Sequence, residues 1–373
     1  MIHAHTPKTV QLLTVDGQMR TDEVADEYLE YVTALDDTTL RTFYRDMALI
    51  RRFDVEAANL QKQSQMALWV PSFGQEAAQV GSAHAAKKQD HIFPSYREHA
   101  VGMVRGLDLL SIVELLRGNT HGGWDPAETG NFHLYTLVIG SQTLHATGYA
   151  LGIKLDGDCA ADNPDTDQAV MVYFGDGATS QGDVSEALVF AASYQTPQVF
   201  FLQNNHWAIS VPVAVQSRTP LVNRAAGFGM PGVQVDGNDI LASYAVTAKH
   251  LDDARAGQGP SFIEALTYRI GAHTSSDDPT KYRADAELRH WQERDPIIRY
   301  RAYLTGRGES DSFFSEVDEE AEQLAADIRR RTLALTAPPL SSMFEHVYSE
   351  PHPLMTEQRE WLTAYEARMG GAL

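Results

Sequence analysis

Two polar clusters carry the most chemical information in the sequence, Gly175-Asp176-Gly177 and Asn204-Asn205, with 26 residues between them. Asp and Asn side chains end in hard oxygens on short arms. Mg²⁺ takes such groups into a near-octahedral shell that phosphate oxygens often complete. Two glycines let a backbone approach an anion closely, and a helix N-terminus just beyond them offers unpaired N–H groups. A carboxylate aimed at that anion would repel it unless a cation lay between them. The local chemistry is that of a metal-bridged diphosphate. Taken singly, each cluster is more simply a tight turn or a loop cap, so the case rests on the elements that bring them together.

Residues 169–174 form a short apolar run rich in β-formers. After the Gly-Asp-Gly turn, Val184, Ala187, Leu188, Ala191 and Ala192 recur at helical spacing, with Asp183 placed to cap that helix. Pro197 marks the exit, and residues 198–203 are a second buried strand. A strand–helix–strand unit of this kind is a crossover in a parallel sheet. Both clusters then fall past strand carboxyl ends, the edge where open α/β sheets bind ligands. The alternation continues with a helix at 220–229, a short strand at 233–235, a helix at 239–256 and a strand at 262–268. At least four strands with intervening helices predict a doubly wound, mostly parallel α/β fold with helices on both faces.

Three parts are expected along the chain: an N-terminal arm (1–35), the diphosphate-binding α/β domain (36–305) and a C-terminal helical extension (306–373). The arm has a strand at 10–15 before an Asp16-Gly17 turn, and it is too polar to bury much by itself. It is expected to lie across the main domain or a partner subunit. A long amphipathic helix starts near Asp37 with Leu40, Phe43, Met47, Ile50 and Phe53 on one face. Its Arg45, Arg51 and Arg52 read as a solvated or subunit-facing edge. In Phe93-Pro94-Ser95-Tyr96-Arg97-Glu98-His99 the proline forces an extended entry. Arg97 has a planar fork suited to phosphate and Tyr96 adds a hydroxyl, although a surface ion pair of Arg97 with Glu98 is the simpler account of that pair alone. Residues 119–132, rich in Gly, His and Asp, read as an active-site or interface loop. His121 and His133 have no regular metal spacing with other ligands. A polar loop, 271–279, follows the last strand and places His273 at the same edge, where it could bind diphosphate or relay a proton.

Composition narrows the classes. A formal charge of −20 argues against nucleic-acid binding. Hydrophobic content of 43% supports a full core, and no apolar run approaches membrane-spanning length. The first residues show no secretory pattern and Cys159 stands alone, so a cytoplasmic, reducing location is expected. No Gly-x-Gly-x-x-Gly follows a strand, which disfavours a nicotinamide-dependent dehydrogenase.

Gly175-Asp176-Gly177 with Asn204-Asn205 is the thiamine-diphosphate motif. Together with Gly74-Gln75-Glu76, Tyr96-Arg97-Glu98, Ile139-Gly140-Ser141-Gln142 and the loop from Tyr268 to Arg283, it makes the chain similar, over about residues 35–305, to the alpha subunit of the decarboxylating first component of 2-oxo acid dehydrogenase complexes. The resemblance implies thiamine diphosphate and Mg²⁺, the metal held by Asp176, the Asn205 side chain and the Trp207 carbonyl. It implies that Gly175, Gly177, Ala178, Tyr96, Arg97 and His273 contact the cofactor and that Ile139 is the wedge that keeps it bent. Thr136, Val138, Ser141 and Gln142 align with a K⁺ site of some members, and Thr274 with a phosphorylated residue of mitochondrial relatives. Gln203, at a cofactor-binding position, stands where some relatives have arginine; Asp176 replaces a glutamate and Trp207 a tyrosine.

The family's activating glutamate belongs to a beta subunit, so the resemblance implies a heterotetramer of two alpha and two beta chains. The implied reaction is oxidative decarboxylation of pyruvate or of branched-chain 2-oxo acids such as 3-methyl-2-oxobutanoate, the latter serving branched-chain amino acid catabolism. The acyl group passes to a lipoyl group on the acyltransferase component, with His273 the candidate to assist. The alternatives are a non-catalytic or regulatory subunit of the same fold, or another two-chain thiamine-diphosphate enzyme. Intact Asp176 and Asn205 argue against the former.

Overall fold

The computed structural model describes residues 7–120 and 122–369. The strands are β1 (Thr9–Val10), β2 (His91–Phe93), β3 (Val170–Gly175), β4 (Gln198–Asn204), β5 (Trp207–Ala208), β6 (Val211–Pro212), β7 (Gly232–Asp236) and β8 (Ser261–Leu266). Six of them make one sheet in the order β1-β7-β8-β4-β3-β2, every neighbouring pair parallel, and β5 and β6 form a small antiparallel pair. Because side chains alternate across a strand, the two central strands feed two cores. Met171, Tyr173, Val199 and Phe201 join the core under the helices Asp37–Lys62, Glu76–Ala85 and Ile240–Arg255. Val170, Val172, Phe174, Phe200 and Leu202 join the core under Ser141–Asp156 and Gly182–Tyr194. Burial on both faces explains why β3 and β4 read as unbroken apolar runs. The expected doubly wound α/β architecture is what the chain adopts.

Several local expectations are corrected. β2 went unforeseen: it is three residues long and pairs with β3 from Val170 to Val172. The strand expected at 10–15 stops at Val10, because the N–H groups of Leu12 and Leu13 both turn to Asp239 Oδ2, at 2.7 and 2.6 Å. Val10, Leu12 and Leu13 are buried in this chain's own core. β8 ends at Leu266 rather than at 268. Asp183 does not cap its helix; Gln181 holds the N-cap position without a side-chain bond, and Asp183 lies in the first turn, where its charge still suits the helix dipole.

Arg45, Arg51 and Arg52 are not a solvated edge. Arg51 bridges Glu76 (2.5 Å) and Asp295 (2.8 Å), Arg52 bridges Glu56 and Glu322, and Arg45 meets Glu320. Arg51 thus ties the long helix to Glu76–Ala85 and to the cap of Pro296–Gly306, while Glu320 and Glu322 fasten it to Asp311–Ala334, whose Phe314 and Ile328 reach the core; Pro353–Met369 buries no residue. Residues 122–132 are loop with a short 3-10 turn at Pro126–Glu128, anchored where Phe132 is buried, bridges Ile92 and stacks on Trp124. His121 lies outside the described residues. His133 stacks on Phe93 and meets His91 at 3.2 Å. Among the described residues no helix is long and apolar enough to cross a membrane.

Candidate active site

β3 and β4 pair with Gly175 opposite Gln203, so Asp176 leaves the sheet level with Asn204, and Asn205 follows one residue on. At this carboxyl edge lies a cavity of about 230 Å³. It is lined by Tyr96, Arg97, Ile139, Gln142, Gly175, Asp176, Gly177, Ala178, Gln203, Asn205, Trp207 and His273, twelve of the residues singled out from sequence. Thr136, Val138 and Ser141 are not among its lining residues. Among the described residues of 119–132 none lines it.

Asp176 opens a short 3-10 turn and is 1% exposed. Burial pushes its carboxyl up to about 6, against the hydrogen bond from Gln216 Nε2 (2.9 Å) and the charge of Arg269. Among the described residues no ion pair neutralises it, and an uncompensated buried carboxylate is costly. Asn205 donates from Nδ2 to Gln75 Oε1 (3.4 Å), and its Oδ1 accepts the Trp207 N–H (3.3 Å). The β5–β6 hairpin bends sharply on both sides of Trp207-Ala208, with His206 at φ 70° and Ile209 at φ 55°. L-residues adopt that region rarely, and it recurs at ligand sites. Gly177 is required by this hairpin, since a Cβ there would lie 2.7 Å from the Ala208 Cβ. At Gly175 a Cβ would meet nothing within 4 Å, so the space over the turn is open.

Tyr96, Arg97 and His273 form the opposite wall. Arg97 is 5% exposed and does not pair with Glu98, contrary to the simpler account of that pair. Its guanidinium donates to the Pro71 carbonyl, to the His273 carbonyl (3.0 Å) and to His273 Nδ1 (3.2 Å), and it lies 5.8 Å from the Tyr96 ring centre. Glu98, its carboxyl raised by burial, instead receives Ser95 N and Oγ, both at 2.7 Å, and Gln203 Nε2 at 2.6 Å. Gln203 also accepts from Gln79 (3.1 Å), so its amide serves the protein's own network rather than replacing the relatives' arginine. Burial, then the charges of Arg97 and Arg269, push His273 down to about 4, so the ring is neutral near pH 7.

Arg269 was missed from sequence, although it is the cation directly after the strand expected at 262–268. Fully buried, it donates to the carbonyls of Trp207 (3.1 Å) and Ile209 (2.7 Å) and to the Tyr282 hydroxyl (2.8 Å). Gln75, Ser95, Glu98, Ala208 and Ile209 also line the cavity without having been assigned a role. Gln75 and Glu98 lay inside motifs already noted; Gln216, 40 positions from Asp176, gave no signal.

Among the described residues, two buried groups of the cavity lining have no hydrogen-bond partner, Gln75 Nε2, a donor, and Gln142 Oε1, an acceptor. Buried polar atoms are almost always satisfied. Among the described residues Asp176 has no ion-pair partner, and the Arg97 and Arg269 guanidinium groups bond only neutral groups; a cation and an anion together would balance these charges, so the residues fit a metal-bound diphosphate. Close in sequence to lining or site residues, Leu137 and Val138 before Ile139, Ile209 itself and Val215 before Gln216 are 66, 70, 54 and 71% exposed, apolar surface of the kind that marks a protein interface.

Such a site, at the carboxyl edge of a parallel sheet with helices on both faces, defines the α/β enzymes that hold a diphosphate cofactor there. Residues 44–333 match the family described as Dehydrogenase E1 component, and the chain belongs to that family. The chain is 43% identical over 361 residues to the 3-methyl-2-oxobutanoate dehydrogenase subunit alpha of Mycobacterium tuberculosis, covering 96% of this chain and 94% of the relative. It is 37% identical over 342 residues to the pyruvate dehydrogenase E1 component subunit alpha of Acholeplasma laidlawii, covering 91% and 96%. The protein of that name from Staphylococcus aureus is 34% identical over 356 residues, covering 94% and 91%. The family and subunit type expected from the motifs are borne out: the chain is an alpha-type subunit of a 2-oxo acid dehydrogenase.

Proposed function

We propose that this chain is the cofactor-anchoring half of a thiamine-diphosphate-dependent 2-oxo acid dehydrogenase. The observation that carries the proposal is the buried Asp176, which has no ion-pair partner among the described residues and lines one cavity with Asn205, each just past the end of its strand, β3 and β4. Asp176, Asn205 and the Trp207 carbonyl would hold Mg²⁺. Gly175, Gly177 and Ala178 offer backbone to the diphosphate, and Tyr96, Arg97 and His273 face it from the other wall. Ile139 supplies apolar support between the two. Gln142 Oε1, buried without a partner, is the atom that best supports K⁺ beside this site. Gln216 and Arg269 hold Asp176 and the Trp207 carbonyl in place. When bound, thiamine diphosphate supplies the electron sink for breaking a carbon–carbon bond beside a carbonyl. His273, neutral near pH 7 with Nδ1 facing two guanidinium groups, presents a hydrogen-bonding ring rather than a charge to the acyl group and its lipoyl acceptor.

The substrate is pyruvate or a branched-chain 2-oxo acid, and the names of the relatives support both. A beta subunit covers the exposed apolar surface and brings the missing activating carboxylate, in an assembly of two alpha and two beta chains in the cytoplasm. In the division proposed for the chain, residues 36–305 carry the site, flanked by the arm and the helical extension. The test is turnover of pyruvate against 3-methyl-2-oxobutanoate by the chain alone and with its beta partner. Activity is expected only in the pair. Robust decarboxylation by the chain alone would point to a different thiamine enzyme.

A further inference from the structure

We propose that Gln75 is a cofactor-binding residue of this site. Its Oε1 fixes the Asn205 amide, and its Nε2 donates to an oxygen of the bound diphosphate. This rests on the proposed function and adds a ligand contact to it.

Gln75 occupies the N-cap position of the helix Glu76–Ala85, and its backbone is held on both sides. Its N–H donates to the Ser72 carbonyl (3.0 Å) and its carbonyl accepts from Gln79 (3.1 Å). The Gln75 side chain makes no capping bond to its own helix. It reaches the cavity instead, 1% exposed, with Oε1 accepting from Asn205 Nδ2 at 3.4 Å. Nε2 is left buried with no partner. An amide nitrogen carries two N–H donors and no acceptor, so the absent partner is an acceptor. A metal ion cannot be that partner, since a donor repels it. The remaining ligand of the proposed site is the diphosphate, which Arg97 also faces.

The bond to Asn205 has a second consequence. The bond from Nδ2 to Gln75 fixes the amide orientation, and with it Oδ1, the side-chain oxygen that can ligate a metal and that also accepts the Trp207 N–H. Gln75 therefore ties the two halves of the ligand together, positioning a metal ligand and contacting the anion.

The experiment uses the assembled complex with its beta partner and measures thiamine-diphosphate affinity by calorimetry, then the Mg²⁺ concentration needed at saturating cofactor. Gln75→Met, matched in length but with neither polar atom, is expected to weaken thiamine diphosphate by about tenfold or more and to raise the Mg²⁺ requirement. Gln75→Glu keeps the acceptor for Asn205 but places a carboxylate against the diphosphate. It is expected to weaken the cofactor further, with a Mg²⁺ requirement no higher than wild type. Melting of the cofactor-free complexes reports folding independently. Wild-type cofactor affinity in either folded variant overturns the inference, because a packing role alone would leave it unchanged. Absence of thiamine-diphosphate binding by the wild-type complex would instead overturn the proposed function.

Discussion

Gly177→Ala separates the metal site from the fold. Gly177 does not occupy the left-handed region, so an alanine there carries no backbone strain and its effect is steric. The added Cβ would start 2.7 Å from the Ala208 Cβ, and ordinary contact begins at 3.4 Å, so the two must part by about 0.7 Å. The 3-10 turn is buried against β3, whereas the β5–β6 hairpin is a two-residue pair, so the hairpin is the part that yields. Ala208 follows Trp207, whose carbonyl is the proposed third metal ligand. Mg²⁺ accepts ligands only near 2.0–2.1 Å in almost ideal geometry, so a shift of that size removes one. The expected result is a loss of at least about tenfold in Mg²⁺-dependent thiamine-diphosphate affinity, roughly 1.4 kcal/mol. Overpacking should cost the cofactor-free fold about 1–3 kcal/mol. Calorimetry on the assembled complex gives the first quantity and thermal melting the second. Gly175→Ala is the control: its Cβ meets nothing within 4 Å, so cofactor-free melting should not move, while a cofactor passing over the turn should still bind less well. Affinity of Gly177→Ala within about twofold of wild type would refute the assignment of the Trp207 carbonyl.

Asp54 is fully buried and accepts from Trp69 Nε1 (2.5 Å) and from Ser72 N (2.6 Å), holding the segment that meets Arg97. Asp54→Ala strands both donors at about 1–3 kcal/mol each, so thermal melting should drop by several degrees; an unchanged melting temperature would contradict this. Burial raises the Asp54 carboxyl from 3.8 to about 7, so the folded state keeps a proton that the unfolded state releases. Its contribution to stability is therefore full below pH 4 and falls as pH rises towards 7, and Asp54→Asn should flatten that part of the curve. For His273 the sign is opposite. Its folded value, about 4, lies below 6.5, so its contribution is lost as pH falls from 6.5 towards 4. The pH profile of kcat/KM should keep its inflections in His273→Gln at a reduced rate; an inflection near pH 6–7 present only in wild type would contradict a neutral His273.

The strand–helix–strand unit around the site was legible because β3 and β4 are buried on both faces and therefore continuously apolar, and because Gly175 and Pro197 punctuate them. β2 was not, since three residues between Asp90 and Pro94 leave no period to detect. β1 was drawn too long because its apolar residues continue past Val10, while the backbone leaves the sheet for Asp239, 226 positions away from Leu13. Gly175, Asp176, Gly177, Asn205 and His273 came from chemistry at strand ends and Tyr96 and Arg97 from their fit to phosphate, whereas Ile139, Gln142, Ala178, Gln203 and Trp207 came from the family resemblance; all twelve line the cavity. Arg97 and Glu98 looked like partners because they are adjacent in sequence, yet adjacent side chains point different ways. Arg97 goes to His273 and Glu98 to Gln203, both beyond any local pattern. The arginines of the long helix misled for the same reason, as the acids they meet lie up to 275 positions along the chain.

The central claim is that Asp176 anchors a metal-bridged diphosphate. Titration of thiamine diphosphate into the assembled complex carrying Asp176→Ala, with and without Mg²⁺, tests it most directly. With assembly intact, Mg²⁺-dependent binding is expected to vanish. Cofactor affinity equal to that of the wild-type complex would contradict the claim.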